Sequence, residues 1–197
     1  MADALPDSAL DQLFRNARTC KTFAAAPIAD RRLEALYDLC RWGPTSMNGQ
    51  PARFVFVRSP EAKARLQPAL AAGNVAQTMA APVTVIVAAD EAFHQRLQKL
   101  CPAAPGAAAT YAADPEAAPE TAFRNSTLQG AWLMMAARAL GLACGAMSGF
   151  DNAAVDAAFF PESSWRSNFL ITLGEPDLAD VHPRGPRLPF SEACRIV

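Results

Sequence analysis

Within four positions, Arg18-Thr19-Cys20-Lys21 carries two cations and a hydroxyl, a set suited to gripping a phosphate monoester. The guanidinium offers paired N–H donors and the ammonium a point charge. The same residues also suit a solvated helix end, where cations face the negative pole of the helix dipole. A second cationic point lies far along the chain in Arg184-Gly185-Pro186-Arg187-Leu188-Pro189, which alone reads as a basic loop. Two polar windows interrupt the apolar sequence between them. Gly43 to Arg53 (GPTSMNGQPAR) sets the hydroxyls and amides of Thr45, Ser46 and Asn48 in a turn before an apolar run. They can meet the donor and acceptor edge of a heterocycle, or serve only the turn. Ala143 to Asp151 (ACGAMSGFD) contains Gly145 and Gly149, which let backbone approach a flat ligand closely or satisfy a tight turn of their own.

Other chemistries find little support. The two histidines, His94 and His182, belong to no Cys/His cluster, so no metal site is expected and both are read as surface residues. Neither a phosphate-binding G-x-x-x-x-G-K-[ST] loop nor a G-x-G-x-x-G turn occurs. The five cysteines Cys20, Cys40, Cys101, Cys144 and Cys194 include no C-x-x-C pair, and their odd count argues against a disulfide framework. Reduced thiols and a cytoplasmic location are expected. With Lys+Arg 18 against Asp+Glu 19 the net charge is -1, which gives no global field for nucleic acid or an anionic membrane.

The elements that must hold these windows follow from periodicity. A hydrophobic fraction of 51% in 197 residues supports a single domain over 1–197. Asp3, Asp7 and Asp11 at the start, with no basic-then-apolar leader, argue against a signal peptide. Asp7 or Ser8 is expected to cap a helix through Leu10, Leu13 and Phe14. Asp30 is expected to cap a second, with Leu33, Leu36, Tyr37 and Cys40 on its buried side and Gly43-Pro44 after it. Phe54–Val57 reads as a buried strand, and Ser59-Pro60-Glu61 as the start of a third helix. Val83–Ala89 is the strongest strand, closed by Asp90 in position to cap a helix through Leu100. Residues 101–119 read as an irregular excursion, either a cover for an active site or a plain connection. A long helix follows over Glu120–Leu140, apolar around much of its girth, then a short segment Leu142–Met147, a helix capped by Asp151, and a strand over Asn168–Gly174. Thr127 to Met147 is apolar enough to suggest a membrane span. Burying Arg138 in lipid would cost roughly 2.5–3.5 kcal/mol, so a helix buried in protein fits better. Glu175–Val197 is an extended C-terminal arm. Helices that do not alternate regularly with strands indicate an α+β class.

Taken in order, GPTSMNGQPARFVF, ETAFRNSTLQGA, ALGLACGAMSGFD and PRLPFSEAC resemble the nitroreductase family over nearly the whole chain, and within it the malonic semialdehyde reductases of pyrimidine degradation. The resemblance implies a central, mostly antiparallel sheet flanked by helices, in an intertwined homodimer with an exchanged C-terminal arm and FMN at the interface. It implies that Arg18, Thr19, Lys21 and Arg187 clamp the flavin phosphate. Thr45, Ser46 and Asn48 lie beside the cofactor, Asn74 at its pyrimidine edge, and Ser148 and Gly149 behind the ring. Many relatives carry an acid at the position of Ser148. NADPH or NADH delivers hydride to the flavin, and a small-molecule acceptor takes it in turn. The cofactor supplies the reactivity, so no catalytic side chain is assigned. The acceptor implied is 3-oxopropanoate, whose carboxylate needs a cation. Arg53 and Arg124 are candidates, and the alternative is that each pairs with a nearby acid. Two other functions remain open: a broad nitro- or quinone reductase, or a non-catalytic flavin-binding redox sensor using Cys20 or Cys144.

Overall fold

The computed structural model describes residues 3–177, 181 and 183–197, so the reading of His182 lies outside the described residues. In chain order the elements are α1 (Asp7–Leu10), running on as a π turn over Asp11–Arg15, α2 (Asp30–Cys40), β1 (Ala52–Val57), α3 (Pro60–Leu66), α4 (Ala72–Ala80), β2 (Val83–Asp90), α5 (Leu97–Leu100), α6 (Ala107–Ala113), α7 (Ala117–Ala139), β3 (Ala143–Met147), α8 (Asn152–Phe159), β4 (Trp165–Gly174) and α9 (Phe190–Ala193). The four strands form one antiparallel sheet in the order β1-β2-β4-β3, as the α+β reading expects.

β2 is buried at every position because both faces of the sheet are covered. Val83, Val85 and Val87, with Phe169, Ile171 and Leu173 of β4, pack on Leu33 and Leu36 of α2 and Leu133 of α7. Ile86, Ala88 and Leu170 face the other way, onto Leu66, Val155 and Phe160. A strand buried on both sides reads as an unbroken apolar run, and VTVIVAA does. A third cluster, Phe93, Leu97, Ala107 and Ala118, closes the end of the sheet near Ala89.

Several local expectations are corrected. Residues 101–119 are not irregular: Ala107–Ala113 is helical, and α7 begins at Ala117. Alanine favours helix, Ala107 and Ala118 are buried, and Pro119 falls in the first turn of α7, where its missing N–H costs no helical bond. Leu142–Met147 contains an edge strand, and β4 starts three residues before Asn168. Asp30 does not cap α2; it opens the first turn and pairs with Arg58. No side chain caps α1. Tyr37 is exposed, and His94 is half-buried edge-on to Phe93. Ser59 and Asp151 do cap their helices, accepting from the N–H groups of Ala62 and Ala154. Among the described residues no helix is long and apolar enough to cross a membrane, and no group of His, Cys, Asp and Glu could hold a metal ion.

Candidate active site

Arg18, Thr19, Lys21 and Arg187 line one cleft of about 470 Å³, although the chain separates the first three from the last by most of its length. Arg138 of α7 and Arg184 of the arm join them, and among the described residues no carboxylate lines the cleft. None of these five cations has an ion pair among the described residues. Loss of solvation, then the nearby Arg18, Arg187 and Arg138, pull the Arg184 guanidinium below its ordinary value, which places four guanidiniums in one field. Arg184 is held by backbone: its Nη2 donates to the carbonyls of Phe14 at 3.2 Å and Ala17 at 3.0 Å, and to that of Arg15. Two of these carbonyls, those of Arg15 and Ala17, also accept from Arg18 Nη1, at 3.2 and 3.0 Å. Arg138 Nη1 donates to the Leu13 carbonyl at 3.0 Å, while its Nε is buried without a partner. A buried donor left unmade costs about 1–3 kcal/mol, a cost that an anion in the cleft can remove.

The 18–21 segment reaches the sheet through glycine. Thr19 bridges in parallel to Cys144 of β3, and a Cβ at Gly145 would lie 3.2 Å from the Cys20 carbonyl and 3.3 Å from Thr19 Cγ2. From Cys144 to Ser148 the strand advances about 13 Å at roughly 3.3 Å per residue. At that end Asn74 of α4 meets Gly149. Asn74 Nδ2 donates to the Gly149 carbonyl at 2.9 Å, Gln77 Nε2 donates to Asn74 Oδ1 at 2.9 Å, and Ser148 is exposed beside them. β3 thus carries a cationic cleft at one end and an amide-lined corner at the other. That donor set fits a ligand with a phosphate at one end and a heterocycle at the other, as FMN has.

Thr45, Ser46 and Asn48 are not part of this arrangement within one chain. They precede β1, on the opposite edge of the sheet. Thr19 lies opposite Cys144, which is level with Leu173 and Val83, whereas Ala52 is level with Ala89. The cationic cleft is thus about 20 Å along the strands and roughly 14 Å across them from the loop, whereas Ser148, next to Met147 on the level of Leu170 and Ile86, is offset by only about 7 Å along them. The loop is tightly specified. Met47, Asn48 and Gln50 all have positive φ, at 52°, 52° and 43°. The Ser46 N–H donates to Asn125 Oδ1 at 2.7 Å, the Gln50 N–H to Thr45 Oγ1 at 3.1 Å, and Asn48 Nδ2 to the Leu100 carbonyl at 2.9 Å.

Both arginines considered for an acceptor carboxylate pair with acids. Arg53 Nη2 donates to Asp90 Oδ2 at 2.6 Å, and its Nη1 to the carbonyls of Gln50 and Ala52. Arg124 pairs with Glu120 one helical turn away, where both side chains are exposed and the pair is worth little. Asp90 itself, expected as a helix cap, is the last residue of β2, and only its bond from the Ala92 N–H at 3.0 Å resembles a cap. Arg96 Nη1 at 2.7 Å and Ser164 Oγ at 2.6 Å also donate to it. Burial pushes its carboxyl up, but Ser164, Arg53, the Ala92 amide and Arg96 outweigh this and hold it below the usual carboxylate range. Cys20 and Cys144 are buried, and burial pushes both thiols up, so neither is a ready thiolate.

Four contributors escaped sequence reasoning. Arg138 looked like a charge to be hidden and Arg184 like loop. Asn125 and Gln129, buried on α7, pin the N–H groups of Ser46 and Ala52. Two amides spaced by four on an otherwise apolar helix were the available signal.

Comparison with known proteins places this geometry. Residues 14–175 match the model of the nitroreductase family. A Burkholderia lata protein with the provisional name NADH dehydrogenase/NAD(P)H nitroreductase is 58% identical over 192 residues, 98% of each chain. A protein of the same provisional name from Xanthomonas oryzae pv. oryzae is 56% identical over the whole of both chains. The fold is similar to that of the Bacillus subtilis protein ydfN, with a TM-score of 0.88 at 20% identity over 98% of this chain and 100% of that one. It is also similar to an Exiguobacterium sibiricum protein solved in complex with FMN, with a TM-score of 0.84 at 19% identity over 100% of both.

Proposed function

The chain belongs to the nitroreductase family, as an oxidoreductase that works with FMN and NAD(P)H, and from that premise we propose that it reduces malonic semialdehyde to 3-hydroxypropanoate at sites formed between two copies. The observation that carries the cofactor assignment is the cleft where five cations gather, joined along β3 to the Asn74–Gly149 corner. Arg18, Lys21, Arg138, Arg184 and Arg187 hold the phosphate, Thr19 adds a hydroxyl, and Asn74 with Ser148 and Gly149 meets the ring. Bound there, FMN would supply hydride-transfer chemistry between NAD(P)H and the acceptor. The residues here bind, orient and exclude water; no side chain is needed as a general base.

The division of the site between sheet edges supports assembly from two copies. A ring beside Ser148 and Gly149 lies at the β3 edge and the 45–50 loop at the β1 edge, so in this reading Thr45, Ser46 and Asn48 meet the ring from a second chain. The outer face of α7 suits such a contact. Trp132 and Leu39, with Leu5 and Phe14, are each close to half exposed, around an almost wholly apolar cleft of about 510 Å³.

The acceptor rests on the resemblance of four sequence windows to one branch of the family, and Arg124, with its exposed partner, is the freer of the two candidate carboxylate ligands. Purified holoenzyme should oxidise NAD(P)H with malonic semialdehyde at a kcat/KM above that for nitroaromatics and quinones. A second reading, a broad nitro- or quinone reductase, is favoured by the names of the 58% and 56% identical relatives. Aldehyde turnover at background with good nitroaromatic turnover would decide for it.

A further inference from the structure

We infer that Asp90 and Arg53 form a positioning device that presets the loop over residues 45–50 for its place in the flavin site, which reassigns Arg53 from acceptor binding to loop anchoring. The inference rests on the reading that this loop lies beside the flavin. Three non-glycine residues with positive φ within four positions each cost on the order of 1–3 kcal/mol, and such strain persists only where the surroundings over-determine it.

The bonds that do so form a chain leading to one buried charge. The Asp90 side chain is 1% exposed and accepts from four donors: Arg53, Arg96, Ser164 Oγ and the Ala92 N–H. Held by that carboxylate, the Arg53 fork turns its Nη1 to the Gln50 carbonyl at 3.0 Å and the Ala52 carbonyl at 2.8 Å. Gln50 passes the constraint on, through its N–H to Thr45 Oγ1 and its Nε2 to Asn48 Oδ1 at 3.0 Å. Asn48 then ties to Leu100. Ser46, Met47 and Asn48 are left exposed at the tip, whose turn is also closed by the Asn48 N–H to the Thr45 carbonyl at 3.0 Å and the Gly49 N–H to the Ser46 carbonyl at 2.9 Å. A lysine at 53 cannot reproduce this, because one ammonium cannot span a carboxylate and two carbonyls as a planar fork does.

The test uses holoenzyme and three variants, Asp90→Asn, Arg53→Lys and Arg96→Met, each followed by amide hydrogen exchange and by FMN and riboflavin affinities from fluorescence quenching. Asp90→Asn and Arg53→Lys should raise exchange at the Gln50 amide at least tenfold while α4 and the 18–21 segment are unchanged. Both should weaken FMN and riboflavin by the same factor, because the loop touches the ring and not the phosphate. Arg96→Met removes a donor to Asp90 that does not reach the loop, so it should do neither. Unchanged exchange in Arg53→Lys, or equal loosening by Arg96→Met, overturns the positioning role. Loosened exchange with unchanged affinity for both flavins overturns instead the placement of the loop beside the ring. If Asp90→Asn does not fold, Arg53→Lys against Arg96→Met decides alone.

Discussion

Asn74 and Gly149 are fitted to each other: the Asn74 amide donates to the Gly149 carbonyl at 2.9 Å, and a Cβ on Gly149 would lie 2.5 Å from that same nitrogen. The glycine therefore admits the asparagine, and the asparagine holds the chain that passes behind the proposed ring. Gly149→Ala should displace Asn74 at a cost of about 1–3 kcal/mol, as overpacking does. FMN and riboflavin affinities should fall together. In a double-mutant cycle, Asn74→Ala should cost little once Gly149→Ala is present. Additive losses would show that the two act separately.

The cationic cleft predicts the opposite selectivity. Replacing Lys21 or Arg187 by Ala, or Arg138 by Met, should weaken FMN at least several-fold, because each removes a cation facing the phosphate, and leave riboflavin nearly unchanged. Fluorescence titration of apo-protein with both flavins reads the difference. Equal losses would remove these side chains from the phosphate.

Asp90 gives a pH dependence of stability with a definite sign. Its folded-state carboxyl lies below the ordinary value, so its contribution is fully present above about pH 4–5, near the unfolded carboxylate value, and is lost as pH falls through the folded one. Urea midpoints should drop more steeply in wild type than in Asp90→Asn between about pH 5 and pH 3. At neutral pH the variant should be less stable by about 3–5 kcal/mol, because it leaves two arginines facing a neutral group. Parallel pH profiles would mean that the carboxylate does not stabilise the fold.

What the sequence made legible were features that depend on local pattern. VTVIVAA reads as a strand because both its faces are apolar, and Ser59-Pro60-Glu61 as a helix start because its cap and proline act within four residues. The gathering of Arg18, Thr19, Lys21 and Arg187 in one cleft was legible only through four windows taken together. Arg138 was not, because a cation on an apolar helix reads the same whether it is merely hidden or turned into a cleft. The identity of the acid that pairs with Arg53 was not legible for a related reason: Asp90 lies 37 positions away, on the neighbouring strand, and only the register of β1 on β2 brings them together. The alanine-rich stretch at 107–113 was discounted because Pro and Gly surround it, yet burial of Ala107 against the Phe93 cluster settles it as helix.

Cover for α7 is tested by charge. Trp132→Glu places a carboxylate in the apolar cleft with Leu39 and Phe14, where an unpaired charge is costly to bury, so a dimer built on this face should dissociate. Sedimentation should then report a monomer that no longer retains flavin. A dimer of unchanged stability would move the interface elsewhere.

The arm gives the last prediction. Glu175 and Pro176 belong to the body of the fold, since Glu175 pairs with Arg32, its carbonyl accepts from the Ala24 N–H at 3.1 Å, and Pro176 bridges to Phe23. A deletion should therefore spare them and remove only residues 178–197. From 183 onward the arm is exposed, including Leu188, Phe190 and Ile196, which have too little apolar neighbourhood to fold alone. In the reading proposed above, those side chains lie on a second copy while Arg184 and Arg187 serve the phosphate cleft, so one cut strikes both. The truncated chain should keep its far-ultraviolet spectrum, lose FMN affinity more than riboflavin affinity, and dissociate on dilution. Truncated protein that stayed dimeric but lost FMN would keep the clamp and remove the exchanged arm. A stable yellow monomer would remove the arm from both roles.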